Sequence, residues 1–371
     1  MQAQLFMPMS VFVSNEEIFI AEMGNHRVRK VLRNGEIVTI AGTGVHGYNG
    51  DGQPATSAQL YGPNGVVVSS SNQVYISEMY GYRIRKIDQN GIISTIVGNG
   101  VGGSNGDDQL AVNTQVNQIC GLFVTEDEEV LFADMCNQRV SKIDRNGIIT
   151  TIVGTSQLGT NFVPTSVFQY RNDIFITDSG KGIKKISQLG TIKTIDTIVK
   201  DTSLIDDDEY DDNEFDDDDE YDDIDDGTKR SHLSPYFVFV FKDELYVANR
   251  CRHTVQKIHM YNGTMETLIG NEVGGCSGDG SLAKDALVHC PTSIFVDENA
   301  QVYIADFGCH KIRRIDRNGI VNTVVGTRQA GYSGDVPFDF EKYPHIGPKK
   351  NQLIKPFPKA SYDITVHTVT H

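Results

Sequence analysis

Short apolar segments of four to six residues recur along the chain and are separated by polar, glycine-containing turns. Near-continuous apolar runs such as VYIA at 302–305 precede alternating segments such as KIRRI at 311–315. Both patterns are typical of β-strands, and no stretch keeps the three-to-four-residue spacing of an amphipathic helix. The pattern therefore predicts an all-β protein without a substantial helix.

These strands belong to a unit that occurs six times. The phrase FIAEMGNHRVRKVLRNGEIVTIAGT at 19–43 returns as YIADFGCHKIRRIDRNGIVNTVVGT at 303–327, with similar residue types at the same offsets. The equivalent positions are Arg27, Arg83, Arg139, Gly182, Thr254 and Lys311. Their spacings are 56, 56, 43, 72 and 57 residues, so one connecting segment is missing and another carries an insert. A repeat of this period indicates a ring or array of supersecondary units.

Each copy predicts four short strands. An Asn-Gly pair stands between the third and fourth strands of five copies, and such a pair supplies the positive φ angles of a tight hairpin turn. Four antiparallel strands at this period predict a six-bladed β-propeller, whose closed ring leaves only short sheet edges. We expect one domain over 1–371, with blades at about 4–43, 59–99, 115–155, 162–200, 232–271 and 287–327.

The motifs GNHRVRK and YIADFGCHKIRRID resemble the signature of NHL-repeat propellers. The linker GTGVHGYNGDGQPATSAQLYGP at 42–63 resembles the long variant of teneurin-type NHL domains. The resemblance covers nearly the whole chain outside an acidic insert and the C-terminal tail. It implies a six-bladed, TolB-like propeller and, across the family, binding of protein or nucleic acid more often than catalysis.

An acidic block carries the whole net charge. Of the 21 residues at 206–226, 16 are acidic, and the remaining 33 acids balance 33 Lys and Arg. Such a block repels itself and cannot bury a core, so the sequence predicts a disordered insert over 201–230. Attraction of a basic partner or weak calcium binding are the alternatives, although the spacing of an EF-hand is absent. Because the propeller itself is close to neutral, we expect no binding of nucleic acid.

The C-terminal segment 336–371 contains NQLIKPFPKASYDITV at 351–366, which resembles the start of a seventh copy. Either this tail pairs with the first blade, or the chain is a piece of a longer array. No apolar run reaches about eighteen residues, so the sequence predicts no membrane span.

Four repeats place an acid five residues before a base: Glu22 and Arg27, Glu78 and Arg83, Asp134 and Arg139, and Asp306 and Lys311. A catalytic residue is needed once, whereas these pairs recur. We therefore expect them to fasten the second strand to the third by charge-assisted hydrogen bonds. The Gly-Asp loops could offer carboxylates to a cation, but their recurrence favours a role as connectors between blades: Asp51, Asp107, Asp279 and Asp335.

His26, His253 and His310 occupy or adjoin one position of the repeat. Three such histidines could gather zinc, as the resemblance implies for peptidyl-amidating lyase relatives of the fold. Because the repeat itself places histidine there, we expect no metal and no other cofactor. The turn positions vary between repeats and could present a specific surface to a partner: Asn25, His26, Tyr82, Asn137, Gln138, His253 and His310.

Six cysteines map to one predicted face of the propeller. One self-consistent scheme joins two points within single blades: Cys120–Cys136, Cys251–Cys276 and Cys290–Cys309. Paired cysteines would indicate an extracellular or lumenal location, whereas six unrelated thiols would indicate the cytoplasm. The sequence leaves both open.

The sequence favours a non-enzymatic module that binds a protein partner through its loop-bearing face. The alternative is a metal-dependent lactonase or lyase with its site over the central channel, and RNA binding is a weaker one. The enzyme alternative requires titratable residues unique to single blades. No nucleophile elbow, phosphate-cradling loop or Cys-x-x-Cys pair is present.

Overall fold

The computed structural model describes residues 3–179, 181–195 and 235–335. In these ranges the strands form six antiparallel sheets, five of four strands and one of five. Within each four-stranded blade the strand order follows the chain order. The predicted all-β, six-bladed propeller is thereby confirmed. Within the described ranges, the short pieces of helix lie in connections and include one α-helical turn, α1 (Thr155–Leu158).

The strand bounds are as follows. Blade 1 contains β1 (Pro8–Ser14), β2 (Glu17–Glu22), β3 (Arg27–Val31) and β4 (Ile37–Ala41). The short β5 (Gln53–Pro54) precedes blade 2, which contains β6 (Pro63–Val68), β7 (Val74–Glu78), β8 (Arg83–Ile87) and β9 (Ile92–Val97). Blade 3 contains β10 (Ile119–Val124), β11 (Val130–Asp134), β12 (Arg139–Ile143) and β13 (Ile149–Gly154).

The second half of the ring repeats this plan. Blade 4 contains β14 (Pro164–Tyr170), β15 (Asp173–Asp178), β16 (Gly182–Ile186) and β17 (Ile192–Ile195). Blade 5 contains β18 (Pro235–Phe241), β19 (Glu244–Asn249), β20 (Thr254–His259) and β21 (Met265–Ile269). Blade 6 contains β22 (Pro291–Val296), β23 (Val302–Asp306), β24 (Lys311–Ile315) and β25 (Val321–Val325).

The first strand of every blade lies innermost and lines the central axis. These strands neighbour one another in a closed cycle, because β1 contacts both β6 and β22. The hydrophobic core is divided among the blade junctions, where apolar side chains of adjacent sheets pack together. At the junction that closes the ring, Ile20 and Ile37 of blade 1 pack with Tyr303 and Ile312 of blade 6.

In blades 1, 2, 3, 5 and 6 the turn between the second and third strands ends in a left-handed residue before the third strand. The φ angles are 50° at His26 and Tyr82, 53° at Gln138, 51° at His253 and 52° at His310. Left-handed non-glycine residues are uncommon and mark a constrained turn. The repeated histidine column is therefore first of all a backbone position. We call the end of the propeller that carries these turns and the connectors the turn face.

Connectors that leave one blade pack on the next blade. The connector after blade 1 contributes β5, which pairs with β9 of blade 2. The connector after blade 6 reaches blade 1 in the same way, where Asp335 bridges to Ile37 and Ala330 bridges to Leu5. The ring therefore closes through a connector, while each blade keeps four strands that are consecutive in sequence.

Several sequence predictions lie outside the described residues. They include the insert at 201–230, the tail at 336–371 and the proposed seventh copy. Among the residues that the structure does describe, no helix has the length and apolar character needed to cross a membrane.

Candidate functional site

Buried arginines of the third strands lie between two carboxylates. Arg29 is fully buried, and one of its guanidinium nitrogens lies 3.6 Å from Glu22 on β2. The same guanidinium forms an ion pair with Asp335, which arrives on the connector after blade 6. Thr39 of β4 donates a hydrogen bond to that Asp335 carboxylate. We call this arrangement, a third-strand arginine bound to the aspartate of an incoming connector, a connector latch.

Three further connector latches repeat this plan at other junctions. The ion-pair distances are 2.8 Å for Arg85 with Asp51, 3.3 Å for Arg139 with Asp107 and 3.1 Å for Arg313 with Asp279. A threonine of the fourth strand accompanies each aspartate, as Thr39 does: Thr95, Thr151 and Thr323. The recurring Gly-Asp loops thus bind the protein's own arginines.

The predicted acid–base pairs require a correction. The Cα atoms of Glu22 and Arg27 do oppose each other in register. However, Arg27 donates to the backbone oxygens of Asn25 and Thr43, and its guanidinium lies 4.0 Å from the Tyr332 ring centroid. The ion-pair partner of Glu22 is instead Arg29, which is two residues farther along β3 and points to the same side of the sheet.

The same correction applies to two other pairs. Glu78 forms its ion pair with Arg85 at 3.7 Å rather than with Arg83, and Asp306 pairs with Arg313 at 3.6 Å while Lys311 binds Asp279. Blade 3 differs because Ser141 stands where blades 1, 2 and 6 carry the deeper arginine. There Arg139 bonds directly to Asp134 at 2.8 Å.

Burial controls the titration of the second-strand acids. It raises the pKa of Glu22, Glu78 and Asp306 to about 7, against the opposing pull of the nearby arginines. The arginines do not overcome burial because each lies beyond hydrogen-bonding distance and also serves a connector aspartate. On the connector, burial acts in the same direction, but the Thr323 hydroxyl and Arg313 hold the pKa of Asp279 below its usual range.

The two predicted partner-binding asparagines hold connectors in place. The Asn25 amide donates to Glu22 at 3.0 Å and to the backbone oxygen of Gly331 at 2.8 Å. The Asn137 amide donates to Asp134 and to the backbone oxygen of Gly103 in the same manner. These amides bind the connector that crosses above their own turn, so their donors are used within the fold.

The three predicted histidines lie at three different blade junctions. The Nδ1 atom of each accepts a backbone N–H from the segment that leads into the next blade: Gly62 for His26 at 3.3 Å, Cys290 for His253 at 3.0 Å and Met7 for His310 at 3.3 Å. Burial lowers the pKa of all three imidazoles. Each histidine therefore clasps two blades together, and the three do not share one ligand position.

The cysteine scheme also requires a correction. The structure joins Cys276 to Cys309 by a disulfide bond. The predicted pairs Cys251–Cys276 and Cys290–Cys309 are therefore wrong. Cys276 lies on the connector after blade 5, and connectors pack on the following blade, which brings it to the turn of blade 6. Cys120 and Cys136 are free thiols in this structure, as are Cys251 and Cys290.

One aromatic surface of the turn face was predicted only at His26. On the turn face, between blades 1 and 2, the ring centroids of His46 and Tyr61 are 5.2 Å apart, and those of Tyr61 and Tyr80 are 5.5 Å apart. His26 lies 5.5 Å from His46 and 6.0 Å from Tyr61. We call His26, His46, Tyr61 and Tyr80 the aromatic cluster. The only other sequence signal was that Tyr61 precedes Gly62-Pro63 where other copies carry Phe6, Asn117 or His289.

The central channel is narrow and apolar. Phenylalanines of neighbouring first strands pack around it with their rings tilted by 53–60° and at centroid distances of 4.8 to 5.1 Å: Phe123, Phe168, Phe239, Phe295 and Phe12. At the turn face, Met9, Met23, Met79 and Cys120 form a buried cluster. The channel holds a cavity of about 50 Å³, and the described residues that line it include no acid, histidine, lysine or arginine.

Comparisons with known proteins agree with this architecture. The family model of the teneurin NHL domain matches residues 44–105 and 242–340. Teneurin-4 of Mus musculus is 23% identical over 376 aligned positions, which cover 93% of this chain and 11% of the relative. NHL repeat-containing protein 2 of Gallus gallus is 31% identical over 131 positions, which cover 33% of this chain and 18% of the relative.

Solved structures extend the likeness of the fold. The structure of a streptogramin B lyase superposes with a TM-score of 0.52 at 11% identity, covering 85% of this chain and 82% of that one. At this identity the likeness concerns the fold alone. The chain is a six-bladed β-propeller, and its repeated motif is similar to the NHL repeat. It is similar to the NHL domains of teneurins, and it spans 4 to 11% of the length of the teneurins that it matches.

Proposed function

We propose that this propeller is a protein-interaction module that binds its partner through the aromatic cluster on the turn face. The observation that carries the proposal is a contiguous group of aromatic rings at the surface, in which Tyr61 keeps 38% of its area exposed. Tyrosines in such clusters supply large contact areas and dominate the binding energy of many interfaces.

The cluster is also organised in advance. His26 is fixed by the hydrogen bond that its Nδ1 accepts from Gly62, and Tyr80 packs against Tyr61. A side chain that is already held in place loses less rotational freedom when a partner binds. A short distance away, Arg83 lies 3.9 Å from the ring centroid of Tyr48, which is 44% exposed, so the aromatic surface continues along the connector.

The channel supports this proposal over the enzymatic alternative. Sites for small molecules commonly enclose about 300–1,000 Å³ and contain a few convergent polar groups. The cavity on the axis is about 50 Å³, and its described lining contains no Asp, Glu, His, Lys or Arg. Its titratable side chains are Cys120 and Tyr236, and burial raises the pKa of Cys120 to about 12, so that thiol stays protonated at neutral pH. A lactonase or lyase with its site on this axis would need more space and a side chain that exchanges protons near neutral pH.

The test compares three forms of the protein as bait. Wild type and Tyr61→Ala are compared with Tyr261→Ala, which removes a tyrosine 75% exposed in a hairpin turn at the opposite end of the propeller. Partners captured with each bait are quantified by mass spectrometry, and the affinity of the leading partner is then measured with purified proteins. We expect Tyr61→Ala to weaken binding by about 30-fold and Tyr261→Ala to leave it unchanged.

Equal capture by all three baits, or loss with Tyr261→Ala alone, would contradict the proposal. The thermal midpoints of both variants should lie within about 2 °C of wild type, because surface substitutions typically change stability by less than about 0.5 kcal/mol. A nucleic acid as the principal captured species would favour the RNA-binding alternative instead.

A further inference from the structure

Two imidazoles and a thiol meet at the junction of blades 5 and 6. One ligand-type atom from each of His253, His289 and Cys290 lies within 4.8 Å of the others. Cys290 Sγ is 3.8 Å from His253 Nδ1, and the two imidazole centroids are 5.0 Å apart. Around a tetrahedral zinc ion, sulfur and nitrogen ligands lie about 3.6 Å from each other. The side chains thus need only a small adjustment to share one ion.

We propose that His253, His289 and Cys290 form a zinc-binding site that ties blade 5 to blade 6. Histidine nitrogen and cysteine thiolate are the ligands that zinc prefers in proteins, and three protein ligands leave a fourth position for water or another side chain. All three residues are partly buried, so an ion would be partly shielded yet reachable from solvent. The site lies off the propeller axis and is independent of the aromatic cluster.

Comparison of the junctions shows that the repeat does not account for this donor set. At four junctions the left-handed turn residue can be compared with the last two residues before the next first strand, which it contacts at His26, His253 and His310. The sets are His26 with Tyr61 and Gly62, Tyr82 with Asn117 and Gln118, His253 with His289 and Cys290, and His310 with Phe6 and Met7. Of these four, the junction of blades 5 and 6 alone carries three metal-ligating side chains. The repeated motif explains His253, but His289 and Cys290 are specific to this junction.

Two glycines provide the space that these rings occupy. A Cβ atom at Gly274 would lie 3.0 Å from His289 Cδ2 and 3.3 Å from His253 Nε2, and one at Gly308 would lie 2.6 Å from His289 Nδ1. Neither glycine has a positive φ angle, so the backbone does not require glycine at these positions. Any larger residue there would press on the imidazoles.

Metal binding has one identifiable cost. His253 Nδ1 accepts the backbone N–H of Cys290 at 3.0 Å, and zinc on this nitrogen would take over the same lone pair. Zinc on Nε2 would require the other tautomer, which also gives up that bond. In both cases one neutral hydrogen bond is exchanged for a metal–ligand bond, and the thiol proton of Cys290 is released.

The test uses the full chain freed of metal by a chelator. Co²⁺ is titrated first, because cobalt bound to a thiolate gives a charge-transfer absorption that the carboxylates of residues 206–226 cannot produce. Zn²⁺ affinity is then measured by competition. We expect one equivalent of Co²⁺ with the thiolate band, loss of that band in Cys290→Ser, and at least about 100-fold weaker zinc binding in His289→Ala.

Matched controls come from the rest of the ring. His26→Ala removes the equivalent histidine at a junction without a thiol, and Cys136→Ser removes an exposed thiol elsewhere. Both variants should keep the cobalt–thiolate absorption band and the zinc affinity of wild type. No thiolate band in wild type, a band that survives Cys290→Ser, or a disulfide at Cys290 found by thiol counting would overturn the proposal. If Cys290→Ser fails to fold, unchanged zinc affinity in a folded His289→Gln variant would overturn it equally.

Discussion

Removal of the Asp335 carboxylate should weaken the closure of the ring. Asp335→Ala deletes the connector half of a latch and leaves Arg29 with no exposed side-chain area. Breaking a buried ion pair from one side typically costs about 3–5 kcal/mol, because the remaining charge stays in a poorly solvated place. Two features reduce this figure. Glu22 remains 3.6 Å from Arg29, and the Asp335 side chain itself is 17% exposed.

We therefore expect Asp335→Ala to lower the free energy of unfolding by about 2–4 kcal/mol. An unfolding entropy of about 2.1 cal/mol/K per residue means that each kcal/mol shifts the thermal midpoint of a domain of about 300 residues by about 1.6 °C, so a decrease of about 3–6 °C should be visible. Urea unfolding, followed by far-ultraviolet circular dichroism, gives the free energy, and scanning calorimetry gives the midpoint.

A double-mutant cycle identifies the cause. Arg29→Met removes the buried charge while keeping much of its volume, so Asp335→Ala should cost far less in that background, with a coupling of at least about 1 kcal/mol. A loss below about 0.5 kcal/mol in the single variant, or purely additive effects in the cycle, would refute the argument that charge holds the connector. In that case the backbone bridges at Ile37 and Leu5 would suffice to close the ring.

Three further outcomes are expected. Burial raises the folded-state pKa of Glu78 from 4.5 to about 7, so the folded state holds the proton more tightly than the unfolded state, and stability falls as the pH rises through this window. The stability of wild type relative to Glu78→Gln should therefore fall by about 2–3 kcal/mol between pH 4.5 and 8 in urea titrations. Phe239→Ala should lower the free energy of unfolding by about 3 kcal/mol, because it leaves a cavity between Phe168 and Phe295 beside the channel. Leu189 is 93% exposed, so Leu189→Ala should change this free energy by less than about 0.5 kcal/mol. Deletion of residues 206–226 should leave the thermal midpoint within about 5 °C, since this acidic run interrupts no predicted strand and loop length has a weak, logarithmic effect; a larger decrease that calcium prevents only in the intact chain would point to a bound ion.

The blades could be predicted from sequence because their determinants are local. The Asn-Gly turn after the third strand, as at Gly35 with φ of 86°, requires only two adjacent residues. The apolar runs of the second strands are likewise contiguous, and six copies of such signals reinforce one another. The closed six-bladed ring was predicted from the six copies together with their resemblance to NHL repeats, which the family comparison supports.

The contacts between repeats were harder to predict. A five-residue spacing correctly places Glu22 opposite Arg27 on adjacent strands, but register does not show which of two arginines on one side of a strand turns toward the acid. The cysteine pairing failed for a related reason. The connector carrying Cys276 was assigned to the blade it leaves, whereas in the structure it packs on the blade it enters.

The aromatic cluster shows the same limit on a larger scale. His26, His46 and Tyr61 come from a turn, a connector and a lead-in segment, and only His26 stands out in its own stretch of sequence. Their proximity depends on how far the connector of blade 1 reaches across blade 2. That distance is a property of packing between blades, which no local pattern records.

One sequence repeat does not correspond to one complete structural unit, because its connector packs on the following blade. A repeat contributes four strands to one blade and an aspartate to the next, so two consecutive repeats are needed to build one complete latch. Where the preceding segment has no Gly-Asp pair, in blades 4 and 5, the arginine is absent as well: Lys184 lies 3.9 Å from Asp178, and Gln256 accepts a neutral hydrogen bond from Asn249. A repeat cut together with its outgoing connector could therefore be duplicated or lost without leaving an unmatched charge only among the blades that all carry the latch, such as blades 1 and 2, because the aspartate that arrives from the preceding repeat must still meet an arginine. The same condition applies when a blade is exchanged between related propellers. The exchanged segment must begin at the first strand of one blade and end just before the first strand of the next, so that it includes the outgoing connector.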